Sequence, residues 1–544
     1  MGADVKGEEH FPRATEADVA LLLEGTFPYV SGGVSSWVNQ IIRAFPEIRF
    51  ALVFLGSRRE DYGEPKYTLP DNVVHLETHF LHDSLQSRSA NIAATNGDPR
   101  GFARLAALHE NFHRAGRTDL ADSDKLVAEL MLGDDVLAES DFLHSEEAWG
   151  FITESYQRFC ADPSFVDYFW TVRIMHQPLW ALARVAQQLI PVRAFHTVST
   201  GYAGFLGSLL ARSRGLPLIL SEHGIYTKER KIDLYQSEWI SDTRNVFQRD
   251  ASELSYFRTM WIHFFEWLGR MCYASADPII ALYETNRLRQ IADGAQPERT
   301  RNIPNGVAIA RLTPLREKRS TSIPRVLCLV GRVVPIKDIK TFIRAMRILV
   351  NRDPETEGWI AGPQDEDPEY ARECNDLVDS LGLADNVKFL GFQKIDDLMP
   401  RIGLVVLSSI SEALPLVILE GYAAGVPTLA TDVGSCRQLV YGLDAEDQAL
   451  GASGRVVGIA NPLALAEAAI ELLQPDNWRA AQAAGIARVE KYYADDMLFD
   501  RYREIYETAL QRGSQSATTG FPEQPMHCPI HGHVAAAKDG TWPA

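Results

Sequence analysis

Glu412 and Glu420 stand eight positions apart in the stretch 408–427, SSISEALPLVILEGYAAGVP. The apolar run 404–407 just ahead of it reads as a buried parallel strand. The chain breaks at Ser408, Ser409 and Ser411 and resumes at Pro415, a good first helical residue. Glu412 is therefore expected in a loop ahead of a helix N-terminus, and Glu420 in the second turn of that helix. The N-terminus, with the backbone of Leu416 and Val417, offers N–H donors to an anion. Two carboxylates at such a spot would repel a bare phosphate. They suit hydroxyl groups instead, because a carboxylate accepts through several lone pairs, and sugars carry such groups. Arg332 and Lys337 flank a second turn, after the run 325–330. A guanidinium fork and a compact ammonium at one turn suit a diphosphate.

The elements that must position these groups come in two series. In the first, 19–23 is an apolar strand, followed by the turn-rich loop 24–33 with Gly32 and Gly33, and a helix from Ser35 or Ser36 to Ile42. Gly-Gly lets backbone approach a ligand at a helix start. It is not a GxGxxG fingerprint, so a dinucleotide site has little support. Further strands fit 50–55, 73–76, 194–198, 218–221 and 278–282. The strand 218–221 runs into Glu222-His223-Gly224 and the basic run TKERK, 227–231. His223 either faces the ligand crevice of an open sheet or simply caps the strand end. Between 82 and 189 the pattern turns helical, with mobile loops expected near 84–100. The aromatic helix 256–273 reads as a core helix, with an amphipathic docking helix as the alternative. In the second series, strands fit 325–330, 359–361, 387–390, 404–407, 428–430 and 455–457. The helix after Lys337 buries Ile339, Phe342, Ile343 and Met346.

These motifs resemble the family 4 retaining glycosyltransferases of GT-B fold. The likeness rests on Pro28-Tyr29-Val30-Ser31-Gly32-Gly33-Val34 between strand and helix, on Ile303-Pro304-Asn305-Gly306-Val307, on Gly331-Arg332-x4-Lys337 and on Glu412-x7-Glu420. The Asp that often follows IPNGV in the family is replaced by Ala308. The resemblance covers about 17–56 and 192–510. It implies an α/β, GT-B architecture of two doubly wound Rossmann-like domains facing a cleft. In it Glu412 contacts the donor sugar, Glu420 holds the nucleotide ribose, and Arg332 and Lys337 hold the leaving diphosphate. His223, Gly32 and Gly33 line the sugar side, and the base lies near Phe392 and Gln393. No cofactor is implied beyond a nucleotide-sugar donor, a UDP-sugar, and no metal. The stretches LLLEGTFPYVSGGVSSWVNQ and SEHGIYTKER, with the helical insertion, are similar to the PelF-type transferases of Pel exopolysaccharide synthesis. That implies a polysaccharide acceptor, an inner-membrane synthase complex as partner, and a cytoplasmic location.

The expected division is 1–307 for the acceptor-side domain, with the helical insertion at 82–189, 308–322 for a linker and 323–490 for the nucleotide-sugar domain. A closing helix, 491–511, packs back toward the first domain, and a disordered tail, 512–544, follows. At 544 residues the chain exceeds one ordinary core. Lys plus Arg number 54 against 72 Asp plus Glu, a net charge of −18, which argues against non-specific nucleic-acid binding. The six cysteines show no CxxC pair, so reduced core thiols are expected. The start, MGADVKGEEHFPRATEADVA, has no apolar signal region, and no run is long enough to span a membrane. The acidic loop Asp365-Glu366-Asp367 reads as solvated rather than as a metal motif. In the tail, His527, Cys528, His531 and His533 lack a second ligand pair for zinc. A UDP-sugar 2-epimerase and a non-catalytic subunit of a membrane complex are the rival readings.

Overall fold

Short apolar runs rich in β-branched residues must be covered on both faces, and helical crossovers between them make the ladder parallel. The computed structural model describes residues 11–83, 95–113, 120–132, 136–160, 164–236 and 256–518, and it shows this arrangement twice. Among the described residues the first sheet has seven strands: β1 (Val19–Glu24), β2 (Phe50–Gly56), β3 (Val73–Phe80), β4 (Ala194–Thr197), β5 (Leu218–Glu222), β6 (Ile279–Ala281) and β7 (Thr300–Asn302). Their order is β3-β2-β1-β4-β5-β6-β7, parallel throughout. The second sheet has six: β8 (Val326–Val330), β9 (Glu357–Ala361), β10 (Val387–Gly391), β11 (Leu404–Leu407), β12 (Thr428–Thr431) and β13 (Gly454–Val457). Its order is β10-β9-β8-β11-β12-β13, again parallel. In both, the order reverses beside the first strand, which opens a crevice at the strands' C-terminal ends. These are the two doubly wound sheets of the GT-B architecture. The strand β7 was not expected, because Thr300, Arg301 and Asn302 carry no apolar signal and the strand lies at a sheet edge.

Each sheet is sandwiched between two apolar layers. The insertion, with helices Pro99–Glu110, Leu120–Met131, Glu139–His144, Glu146–Phe159 and Phe165–Gln188, shares one continuous core with the first sheet. In its last helix Tyr168, Val172, Met175, Leu179 and Leu182 recur at three- and four-residue spacing and are all fully buried. The helix Tyr256–Ser275 joins the same core through Phe257, Trp261, Phe264, Trp267 and Met271, which removes the docking-helix alternative. Of the loops expected near 84–100, residues 84–94 lie outside the described ones, and a helix has begun by Pro99.

The segment 308–322 is folded onto the second domain rather than hanging between the two. Leu312 and Leu315 are buried in its core. Arg316 Nε donates to Ala423 O at 2.7 Å and Arg319 Nη2 to Ile402 O at 2.8 Å. The closing helix also differs from expectation. Lys491 and Tyr492 complete the helix Pro475–Tyr492, and a new one, Asp495–Thr518, starts after a break. At the break the returning chain pairs with the outgoing one. Val307 N donates to Tyr493 O at 2.9 Å, and Asp495 N to Val307 O at 3.2 Å. The final helix then lies on the first sheet, where Tyr502 OH meets Ser221 Oγ at 2.7 Å and Tyr506 OH meets His196 Nδ1 at 2.8 Å. Cys160, Cys272, Cys328, Cys374 and Cys436 are buried and form no disulfide with one another; Cys528 and the tail histidines lie outside the described residues.

Candidate functional site

Neighbouring parallel strands β8 and β11 deliver their C-terminal loops side by side, and short hydrogen bonds zip the two loops together. Ser408 Oγ donates to Lys337 O at 2.9 Å and to Asp338 O at 3.0 Å, and Ile410 N donates to Ile336 O at 2.8 Å. Asp338 sits in the left-handed region at φ 44°, a conformation Asp tolerates, and its carboxylate caps the helix Ile339–Arg352 at Thr341 N. That turn holds Lys337 with its Nζ 2.5 Å from Glu412 Oε1, while Ser409 Oγ donates to the same oxygen at 2.7 Å. Both charged side chains are mostly buried, at 19% and 13% exposure, so the pair is shielded from bulk water. Behind it Gly434, at φ 54°, packs against the Glu412 backbone; a Cβ there would stand 2.5 Å from Ala413 O.

Pro415 turns out to be the cap rather than the first residue of the helix Leu416–Ala423. Leu416 and Val417 form its first turn, and Glu420 follows one turn on, as the spacing requires. Burial pushes the Glu420 carboxyl up to about 7, opposed by Arg311, whose Nη2 lies 3.8 Å away. Arg311 also donates to Asp396 at 2.7 Å. Arg332 stands nearby in sequence but on a different partner, Glu366, at 2.5 Å. Both members of that pair are about half exposed, so it is weak and easily exchanged. The acidic loop is thus not merely solvated: Glu366 takes Arg332 and Asp367 caps the helix Pro368–Ser380 at Tyr370 N.

On the first domain, Gly32 caps the helix Gly33–Ala44, and added side-chain carbons at Gly32 and Gly33 would meet nothing within 4 Å. That face of the backbone is open. His223, just beyond β5, is buried with its ring edge-on to Trp37, centroids 4.6 Å apart. Burial lowers its pKa to about 4, which keeps it neutral at neutral pH. Two buried nitrogens, His223 Nε2 and Trp37 Nε1, lack a hydrogen-bond partner among the described residues. The strand alternation turns Glu222 to the opposite face, where Thr200, Tyr226 N, Tyr273 and Gln290 satisfy it.

The structure thus brings Lys337 and Glu412 into contact and puts Glu420 on the adjoining helix. It does not bring Phe392 to them: that ring, 79% exposed, stands past the end of the outermost strand β10, with β9 and β8 between it and β11. Gln393 is tied back to Leu390 O at 2.8 Å. Sequence reasoning missed Ser409, Arg311, Glu366 and Trp37. Ser409 lies three residues from Glu412 and was legible as a possible partner; the other three become neighbours only through the fold. Among the described residues no group of three or more His, Cys, Asp or Glu is placed to hold a metal ion.

Residues 17–298 match the family described as "Domain of unknown function (DUF3492)", and residues 315–485 match "Glycosyl transferases group 1". A D-inositol 3-phosphate glycosyltransferase of Salinispora arenicola is 32% identical over 245 residues, covering 41% of this chain and 53% of that protein. The match thus spans about half the length of such relatives. Among solved structures, sucrose-phosphate synthase from Thermosynechococcus elongatus aligns with a TM-score of 0.52 at 15% identity, over 91% of this chain and 99% of that one. Anabaena HepE in complex with UDP aligns at 0.51 and 15%, over 90% and 100%. These likenesses establish the GT-B fold.

Proposed function

Because the chain belongs to the DUF3492 family and its second half matches the group 1 glycosyl transferases, we propose that it is a retaining glycosyltransferase. It moves a sugar from a UDP-sugar to a growing polysaccharide. The observation that carries this reading is the Lys337–Glu412–Ser409 cluster with Glu420 on the helix that follows. An ammonium has three N–H donors, so Lys337 can keep Glu412 on one and give two to a diphosphate. Arg332 exchanges Glu366 for phosphate oxygens, and the N-terminus at Leu416 and Val417 adds backbone donors.

Glu420 accepts from ribose hydroxyls, and Glu412 accepts from a sugar hydroxyl through the oxygen not held by Lys337. His223, Gly32 and Gly33 complete the sugar side, where a neutral imidazole can exchange a hydrogen bond with a hydroxyl. In the transfer the bond from the anomeric carbon to the diphosphate oxygen breaks, its electron pair leaving with the diphosphate. An acceptor hydroxyl oxygen bonds to that carbon from the same face and its proton passes to the departing phosphate. Stabilising the leaving charge is the main catalytic work, and it falls to Lys337 and Arg332.

UDP as the nucleotide is favoured by the fold neighbour crystallised with it. A Pel-type exopolysaccharide as product, and recruitment from the cytoplasm to an inner-membrane synthase complex, rest on the PelF-like stretches around Gly32 and His223. The test is a thermal-shift and turnover screen of the purified protein against UDP-, GDP- and ADP-sugars. Stabilisation and slow hydrolysis with one UDP-sugar are expected. No response to any of them would overturn the reading, and interconversion of the UDP-sugar without transfer or hydrolysis would make the protein an epimerase.

A further inference from the structure

Three charged groups from distant stretches of the chain meet beside the helix Leu416–Ala423. Glu420 projects from that helix, Arg311 comes from the short helix Ile309–Leu312 just past Val307, and Asp396 from the short helix Ile395–Leu398 after β10. Leu312 and Leu315, buried in the second domain's core, fix where the first of these short helices lies. The guanidinium is drawn to one side. Its Nη1 donates to Asp396 Oδ1 at 2.7 Å, whereas Nη2 stands 3.8 Å from Glu420 Oε1, too far for a hydrogen bond. Arg311 and Asp396 are 51% and 42% exposed, while Glu420 is mostly buried at 22%. Water screens the first pair and lets it exchange; the second stands where a charge contact counts for more.

Among the described residues, these two are the charges that act on Glu420. Strands β11 and β12 beneath its helix carry no charged residue. On the helix Pro475–Tyr492 packed against it, Arg488 goes to Asp447, Glu490 to Arg316 and Lys491 to Glu446. Burial raises the Glu420 carboxyl to about 7; Arg311 opposes this and Asp396 adds to it. A protonated Glu420 needs no cation, but an ionised one does, because burial has removed its water. We propose that Arg311 is a positioning residue for the nucleotide: as ribose hydroxyls reach Glu420, the guanidinium turns from Asp396 onto the carboxylate and fixes it toward them. A small side-chain rotation closes the gap, since both donors lie on one planar fork. The word ribose rests on the transferase reading above; the exchange of Arg311 between the two carboxylates does not.

The experiment follows Glu420 directly in the full chain. With glutamate carboxyl carbons labelled with carbon-13, the NMR signal lost in Glu420→Gln is that of Glu420, and its titration gives a midpoint without any ligand. Calorimetric titrations with UDP from pH 6 to 8 accompany it. Arg311→Met is expected to move the midpoint up and Asp396→Asn, which frees the guanidinium for Glu420, to move it down, each by at least about half a pH unit. UDP should bind Arg311→Met at least about twofold more weakly than wild type at pH 7. Arg311→Lys, which keeps the charge but not the fork, should lie between the two, and it carries the test with Asp396→Asn if Arg311→Met does not fold. A general loosening of the fold would move the midpoint the same way in every variant, so opposite shifts mark the exchange. Coinciding midpoints in the folded proteins, shifts of one sign, or UDP affinities that ignore the midpoints overturn the proposal. Failure of wild-type protein to bind UDP would sink the transferase reading, and the NMR midpoints would still decide the exchange.

Discussion

At the level of single residues, the defining feature is that the acid and the cation of the site hold each other. Lys337 and Glu412 are mutual partners at 2.5 Å, so removing either one changes the other. Lys337→Ala should lose at least about 10²-fold in turnover, the usual effect of deleting a preorganised donor. Glu412→Ala should depress turnover strongly with UDP affinity nearly unchanged. The double variant should then be no worse than the poorer single one, because the two substitutions break one unit. Additive losses in a kinetic double-mutant cycle would show that the pair acts as two independent groups.

Glu420 gives a pH signature. Its carboxyl is raised to about 7, so it is protonated below that pH and ionised above it. Ribose hydroxyls are better donors to the ionised form, so UDP should bind more tightly at pH 8 than at pH 6. Titrations with wild type and with Glu420→Gln check this: the variant should bind weakly and show no such dependence. Wild-type affinity that is flat from pH 6 to 8 would remove Glu420 from the ribose.

At the level of elements, the insertion is built around histidines rather than aliphatic residues alone. His109, His113 and His176 lie with ring centroids 4.8 and 5.0 Å apart around His109, and His109 Nε2 bonds to Tyr168 OH at 3.0 Å. Burial drives all three below the ordinary value of 6.5: His109 well below, His113 and His176 to about 4. In the unfolded chain they take up protons near 6.5; in the folded chain His113 and His176 do so only near 4, and His109 only well below 6.5. Stability is therefore fully present above pH 6.5 and lost as pH falls toward 4, at about 1.4 kcal/mol per unit for each histidine held neutral. Denaturant midpoints measured from pH 7.5 to 4.5 should fall steeply below 6.5, and His113→Phe should flatten part of that slope. A midpoint independent of pH would mean the cluster opens to water without cost.

At the scale of the whole molecule, the chain passes between the two domains where it leaves at Val307 and returns at Tyr493 and Asp495. Gly306 lies under that crossing, and a Cβ on it would stand 2.6 Å from Asp495 Cα. Backbone on both sides cannot yield as a side chain would. Gly306→Ala should cost about 1–3 kcal/mol, the range for overpacking, read from chemical denaturation. On the proposed function, in which nucleotide contacts lie within the second domain and transfer needs both, it should lower turnover more than UDP affinity. Unchanged stability and turnover would show that the crossing is loose.

The order of strands and helices, the Gly-Gly turn after β1 and the two glutamates were legible from the chain alone, because apolar period, turn residues and motif spacing are properties of neighbours in sequence. The helix start at Pro415 was misjudged by one residue and the break before Asp495 by four, since capping depends on what the terminal N–H groups find. The edge strand β7 escaped because an edge needs no apolar pattern. Lys337 and Glu412 are 75 residues apart, and His196 and Tyr506 310. Their pairing follows from β11 lying next to β8 and from the last helix returning to the first sheet. Strand order and the return path are chosen by which arrangement buries every apolar face at once, and that is a property of the assembled cores, not of any stretch of sequence.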